Sequence, residues 1–133
     1  MENLLKKYNY FDDCYLKEIK WSNNFIGLDI IIDYIWEGKK VRKNLDEEKL
    51  IKLSFSHVQK FIFYNNLDSN FFKYEDEIGW GFNNFSIIKL ENNSEMLAPY
   101  LGFPRKFNHL SILWESERRI DIVFGDLEAI ELF

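Results

Sequence analysis

The chain is short of the residues that usually announce chemistry. It has a single cysteine, Cys14, so no internal disulfide can form; with no apolar leader in MENLLKKYNYFDDC, a reducing, cytoplasmic setting is expected. Proline occurs only at 99 and 104 and alanine only at 98 and 129, while the six glycines are scattered and spell no phosphate-cradling loop. No apolar run approaches a membrane span, because Ile30-Ile31-Ile32 is bounded by Asp29 and Asp33. Basic residues are also in deficit: 17 Lys and Arg against 22 Asp and Glu give a formal charge of −5. That balance argues against nucleic acid, whose phosphates draw on a Lys/Arg surplus, and is compatible with a basic protein partner.

Aromatics, by contrast, are abundant. They make up 18% of the 133 residues. Abundant Asn, Ile, Lys, Phe and Tyr fit a low-G+C coding bias. So many large rings are hard to hide in one small core, which points to some of them lying at an interface with a partner or a second copy. At 47% hydrophobic and 29% charged, with no linker or repeat, the chain reads as one soluble globular domain over residues 1–133.

Periodicity supplies the fold class. From Phe25 to Trp36 the even positions Ile26, Leu28, Ile30, Ile32, Tyr34 and Trp36 are apolar or aromatic, which predicts a long half-buried strand. Tyr15 to Trp21 reads as a strand before it, joined through Ser22-Asn23-Asn24. Ile51, Leu53 and Phe55 alternate with polar residues, and beyond His57 the apolar phase changes to Val58 and Ile62; a bulge or a crossing between two sheets is expected there. Further strands are expected at Phe85–Glu91, around Leu110–Trp114 and around Ile120–Phe124, the last two joined by a turn at Ser116-Glu117-Arg118. Asn3 is expected to cap a first helical turn, and Asn92-Asn93-Ser94 a very short helix stopped by Pro99. The prediction is mainly β: an antiparallel sheet of about six strands, sandwiched or strongly curved, with one or two helical turns, and an α+β arrangement as the alternative.

Catalytic constellations are weak. Asp12-Asp13-Cys14 looks like a reactive cluster, but adjacent side chains on a strand point to opposite faces and acidic neighbours raise a thiol pKa. His57 is read as a polar residue at a bulge and His109 as a strand-edge residue, and no metal-ligand spacing joins them. Asp29 and Asp33 share one face of the long strand and could form an acid/base pair, although a solvated face is the commoner outcome. Trp80, in Gly79-Trp80-Gly81-Phe82, could stack on a sugar, base or protein, although a ring shielding the mouth of the core is the commoner outcome, and the basic run Lys39 to Lys43 is diluted by nearby acids. No catalytic residue, metal or cofactor is therefore expected. The candidate partner-binding residues are Asp29, Asp33, Tyr74 and Trp80.

The steps Phe11-Asp12-Asp13-Cys14-Tyr15-Leu16 with Ile19, and Leu53-Ser54-Phe55-Ser56-His57-Val58, resemble those of small bacterial immunity proteins of polymorphic toxin systems and related uncharacterised bacterial domains. Those proteins carry a Phe-His-Asp-like step before the first strand; Asp12 stands here where a histidine would be expected. The resemblance implies a cytoplasmic protein that blocks a cognate toxin without chemistry of its own. Two alternatives stand beside it: a small-molecule-binding module or weak hydrolase with a histidine and a carboxylate in one pocket, and a homo-oligomeric structural protein.

Overall fold

The computed structural model describes residues 1–64, 87–114 and 118–133. A short helix, α1 (Glu2–Lys7), precedes ten strands: β1 (Tyr15–Ser22), β2 (Gly27–Asp33), β3 (Trp36–Glu37), β4 (Lys40–Val41), β5 (Leu50–Ser56), β6 (Lys60–Tyr64), β7 (Ile87–Leu90), β8 (Asn108–Leu113), β9 (Arg119–Phe124) and β10 (Asp126–Glu131). All pair antiparallel. One four-stranded sheet runs β1-β2-β5-β10, a second runs β6-β9-β8-β7, and β3 with β4 forms a small hairpin. The molecule is mainly β, as its periodicity predicts.

Alternation of apolar and polar residues decides which face of each strand is buried. In the first sheet, Trp21, Leu28, Phe55 and Leu127 form one cross-strand row, and Ile19, Ile30, Leu53 and Ala129 the next. In the second sheet the matching rows are Phe61, Ile122, Leu110 and Leu90, then Phe63, Ile120, Ile112 and Ile88. The two faces share one hydrophobic cluster. Phe55 meets Phe124 edge-on at 4.9 Å between ring centroids, and Trp21 meets Phe61 at 5.4 Å. Each fully buried Leu, Ile or Phe contributes about 1.5–3 kcal/mol relative to exposure, so these rows dominate stability.

The long strand expected through Trp36 stops at Asp33. Tyr34 and Ile35 turn out of the ladder: the Tyr34 amide donates to the Lys49 carbonyl, and Ile35 receives the Arg42 amide. Trp36 then opens the β3-β4 hairpin, whose Gly38 takes φ +64. Asn3 lies inside α1 and is not its cap, a place taken by Met1. The phase change after Phe55 is a crossing between sheets. His57, at φ +53, turns β5 out of the first sheet and into β6 of the second. Gly125 does the same for β9 and β10. Its amide donates to the Ser56 carbonyl, and a Cβ there would stand 3.0 Å from the His57 Cβ.

Asp12-Asp13-Cys14 is a polar lip. Both aspartates are exposed, Asp13 at φ +56, while Cys14 is completely buried. Burial pushes its thiol up to about 12, against a hydrogen bond with the Ile35 backbone that lowers it. Ahead of it, Asn9, Tyr10 and Phe11 form a turn with φ near +54 throughout, costing about 1–2 kcal/mol per residue. The turn is held by Phe11 packed on Tyr8 and Tyr34, and by Asn9 donating to the Tyr34 hydroxyl at 3.0 Å.

Candidate functional site

On β8 and β9, Leu110, Ile112, Ile120 and Ile122 face the core, so His109, Ser111, Arg119 and Asp121 face the other way. Register sets Ser111 directly opposite Asp121. An outward polar row is ordinarily solvated, yet His109, Ser111 and Asp121 are all buried here. Buried polar groups must then satisfy one another. The His109 Nε2 lies 2.7 Å from Asp121 Oδ1, and Ser111 Oγ donates to the same oxygen at 2.7 Å. Arg119 donates from Nη2 to Oδ1 at 2.6 Å and from Nε to Oδ2 at 2.8 Å. Burial alone would raise the Asp121 pKa, but the bonds from Arg119, Ser111 and His109 together hold it below its ordinary value.

The network continues to the surface. His109 Nδ1 lies 2.6 Å from Ser94 Oγ, and Ser94 lines an open cleft of about 700 Å³ between β8 and the segment Asn92–Phe107. Ser94 is there because Asn92-Asn93-Ser94 starts a 3₁₀ turn, Glu95–Tyr100. Its Oγ accepts the Met96 amide at 3.1 Å, a side-chain cap as the sequence predicts. The turn does not stop at Pro99 but includes it. After it come Tyr100, Phe103 and Phe107, whose centroids lie 5.3–6.1 Å apart. Leu101 beside them is 81% exposed and Phe103 is 52% exposed, so the cleft has an apolar lip on a polar floor. Arg105 ties this lip to the first sheet through Asp126 at 2.7 Å.

The chemistry available follows from the donors and acceptors. A carboxylate only accepts, so Nε2 carries the hydrogen toward Asp121 and, in the neutral ring, Nδ1 accepts from the Ser94 hydroxyl. Serine, imidazole and carboxylate thus stand in relay order. Two features weaken the relay. Arg119 occupies both oxygens of Asp121, and the Ser94 oxygen already caps a turn. The same bonds make the floor rigid, which suits a binding surface.

Asp29 is half-buried on the outward face of the first sheet, opposite Lys20, and accepts from Ser54 Oγ at 2.8 Å. Asp33 lies on that face too, but it is buried, accepting from Arg42 Nη2 at 3.0 Å and from the Lys49 amide at 3.0 Å. Arg42 is buried as well and donates to the carbonyls of Tyr34, Asn44 and Glu47, stapling the segment after β2. The two aspartates therefore serve separate contacts rather than an acid/base pair. Tyr74 and Trp80 lie outside the described residues.

His57 sits at the crossing between the sheets and does not line the cleft that His109 lines. His109 is on an interior strand, not at an edge as its sequence position suggests, because β7 continues the sheet beyond β8. Among the described residues, no group of three or more His, Cys, Asp or Glu gathers as metal ligands. Ser94 is marked in the sequence only as a helix cap, and Ser111, Arg119 and Asp121 are not singled out by any motif. Their signal is indirect: pairing the alternation of Leu110–Trp114 with that of Ile120–Phe124 across the expected turn faces Ser111 with Asp121.

No family model matches the chain, and no curated protein matches it. Among solved structures, it is similar to an uncharacterised protein from Neisseria gonorrhoeae, with a TM-score of 0.53 and 18% identity over 89% of this chain and 90% of that one. At that identity the likeness is one of fold.

Proposed function

We propose that the chain is a non-enzymatic protein-binding domain and, following the resemblance at its first strand, a cytoplasmic immunity protein that neutralises a cognate toxin. The observation that carries the binding reading is the lip of the cleft, where Leu101 and Phe103 stand exposed over the aromatic cluster. Exposed apolar groups beside polar ones mark contact surfaces, with aromatics favoured at their centres. The net charge of −5 favours a basic partner over nucleic acid. Affinity capture from the native cell with wild type and Leu101→Asp/Phe103→Ser chains tests this. A partner held by wild type and lost by the variant, with unchanged circular dichroism, supports it, as does toxicity of that partner when expressed alone. Equal recovery with both chains removes the lip from the reading.

A second reading, a weak hydrolase in the same cleft, is favoured by the Ser94–His109–Asp121 chain of hydrogen bonds alone. A fluorophosphonate probe followed by intact-mass analysis separates the two. Covalent labelling of Ser94, lost in Ser94→Ala, supports the hydrolase; an unmodified mass removes it.

A further inference from the structure

The two edges of the first sheet are built differently. Strand β1 is broken by a bulge between Leu16 and Glu18 and carries Lys17 and Lys20, features that discourage a further strand. Strand β10 has none of these. Its six residues pair with β5 in unbroken register, without lysine, proline or glycine. The Leu132 amide donates to the Leu50 carbonyl, and antiparallel alternation then aims the backbone groups of Asp126, Glu128 and Ile130 at β5. Those of Leu127, Ala129 and Glu131 point away from the sheet. Among the described residues no backbone hydrogen bond reaches that side.

Resting on the binding reading above, we infer that β10 is the docking edge, and that the partner adds an extended segment to it in which basic residues alternate with apolar ones. The backbone supplies the unfilled ladder. Glu128, exposed on the outward face, supplies the charge that selects a basic residue, while Asp126 is already met by Arg105 and Glu131 accepts from the Tyr8 hydroxyl at 2.9 Å. The apolar residues follow from the other face, where Leu127 and Ala129 point toward the core yet are only half-buried, so a neighbouring strand would cover them. A second copy of this chain is a poor occupant: antiparallel pairing about Glu128 sets the two Glu128 side chains opposite each other, and pairing about Ala129 sets Glu128 against Ile130, so neither gives it a basic partner. The edge is also continuous with the apolar lip of the cleft, because Arg105 of that loop holds Asp126.

The test uses the full chain and capped heptapeptides of alternating lysine and valine, or of glutamate and valine. With the basic peptide, amide hydrogen exchange at Leu127, Ala129 and Glu131 should slow at least tenfold, with little change on β1. The acidic peptide should leave it unchanged. Ala129→Pro removes an outward amide and should abolish the protection, while Glu128→Lys should weaken peptide binding about tenfold. Two basic peptides N-methylated on alternate residues give a control independent of any variant's folding: only the one with its methyl groups on the outer edge should bind. Equal binding of both methylated peptides, or protection anywhere but β10, overturns strand addition. A cellular partner captured equally by wild type and Glu128→Lys chains likewise overturns this edge while leaving the binding reading intact.

Discussion

On the outward face of the first sheet, Asp29 accepts one hydrogen bond from Ser54 and stands opposite Lys20. On the outward face of the second, Asp121 accepts four, from His109, Ser111 and twice from Arg119. Both residues sit at polar positions of alternating strands, and both belong to antiparallel pairs. What separates them is cover. Water does for Asp29 most of what three side chains must do for Asp121, and losing a partner therefore costs little at one and much at the other.

The sharpest way to break this contrast is Asp121→Ala, which leaves Arg119 and His109 facing an empty place. Urea denaturation should show a loss of about 3–5 kcal/mol, as for other broken buried pairs. Arg42→Ala asks whether cover or the choice of sheet decides the cost, since Asp33 shares the first sheet's outward face but is buried. A loss of about 3 kcal/mol by the same assay makes cover the deciding factor; a loss no greater than that of a surface pair would return the decision to the sheet.

Acid provides a third test. The Asp121 pKa is lowered from 3.8, so the folded state binds its proton less readily than the unfolded chain. Its contribution is complete above that value and fades as pH falls through the lower folded-state pKa. Thermal melts should thus fall more steeply below pH 4 for wild type than for Asp121→Asn. Smaller still, Ser94→Ala removes a cap and one contact of His109 and should cost about 1 kcal/mol. Asp29→Asn should change stability by less than about 0.5 kcal/mol. A loss at Asp29 approaching that at Asp121 would end the distinction between the two faces.

Much of the architecture is legible in the residues, because each rule involved is local. Alternation around Leu28–Ile32 and Leu53–Phe55 reports which side of a strand meets the core, and the shift beyond His57 reports the crossing. Strand length was harder. Tyr34 and Trp36 keep the period of two after the ladder has ended, since Arg42 and Lys49, distant in sequence, draw the chain away. The polar network that reaches the cleft through Ser94 and His109 is less legible still. Its members come from four places, Glu91, Ser94, the β8 pair His109 and Ser111, and the β9 pair Arg119 and Asp121, and only register brings them together. At Cys14 the two levels agree: burial raises the thiol pKa most, and the neighbouring acids that the sequence shows push it the same way.

The crossing at His57 and Gly125 also bears on the order in which the chain can fold. Strand β5 is interior in the first sheet and runs on as an edge of the second; β9 is interior in the second and runs on as an edge of the first. Strands β1, β2 and β5 can meet as soon as they leave the ribosome. The second sheet cannot, because β9 joins β6 to β8 and comes after both in the chain. Until β9 emerges, the apolar face of the first three strands waits uncovered, and long-range closure of this kind is slow. During synthesis, that interval is when this chain is most exposed to aggregation and to capture by chaperones.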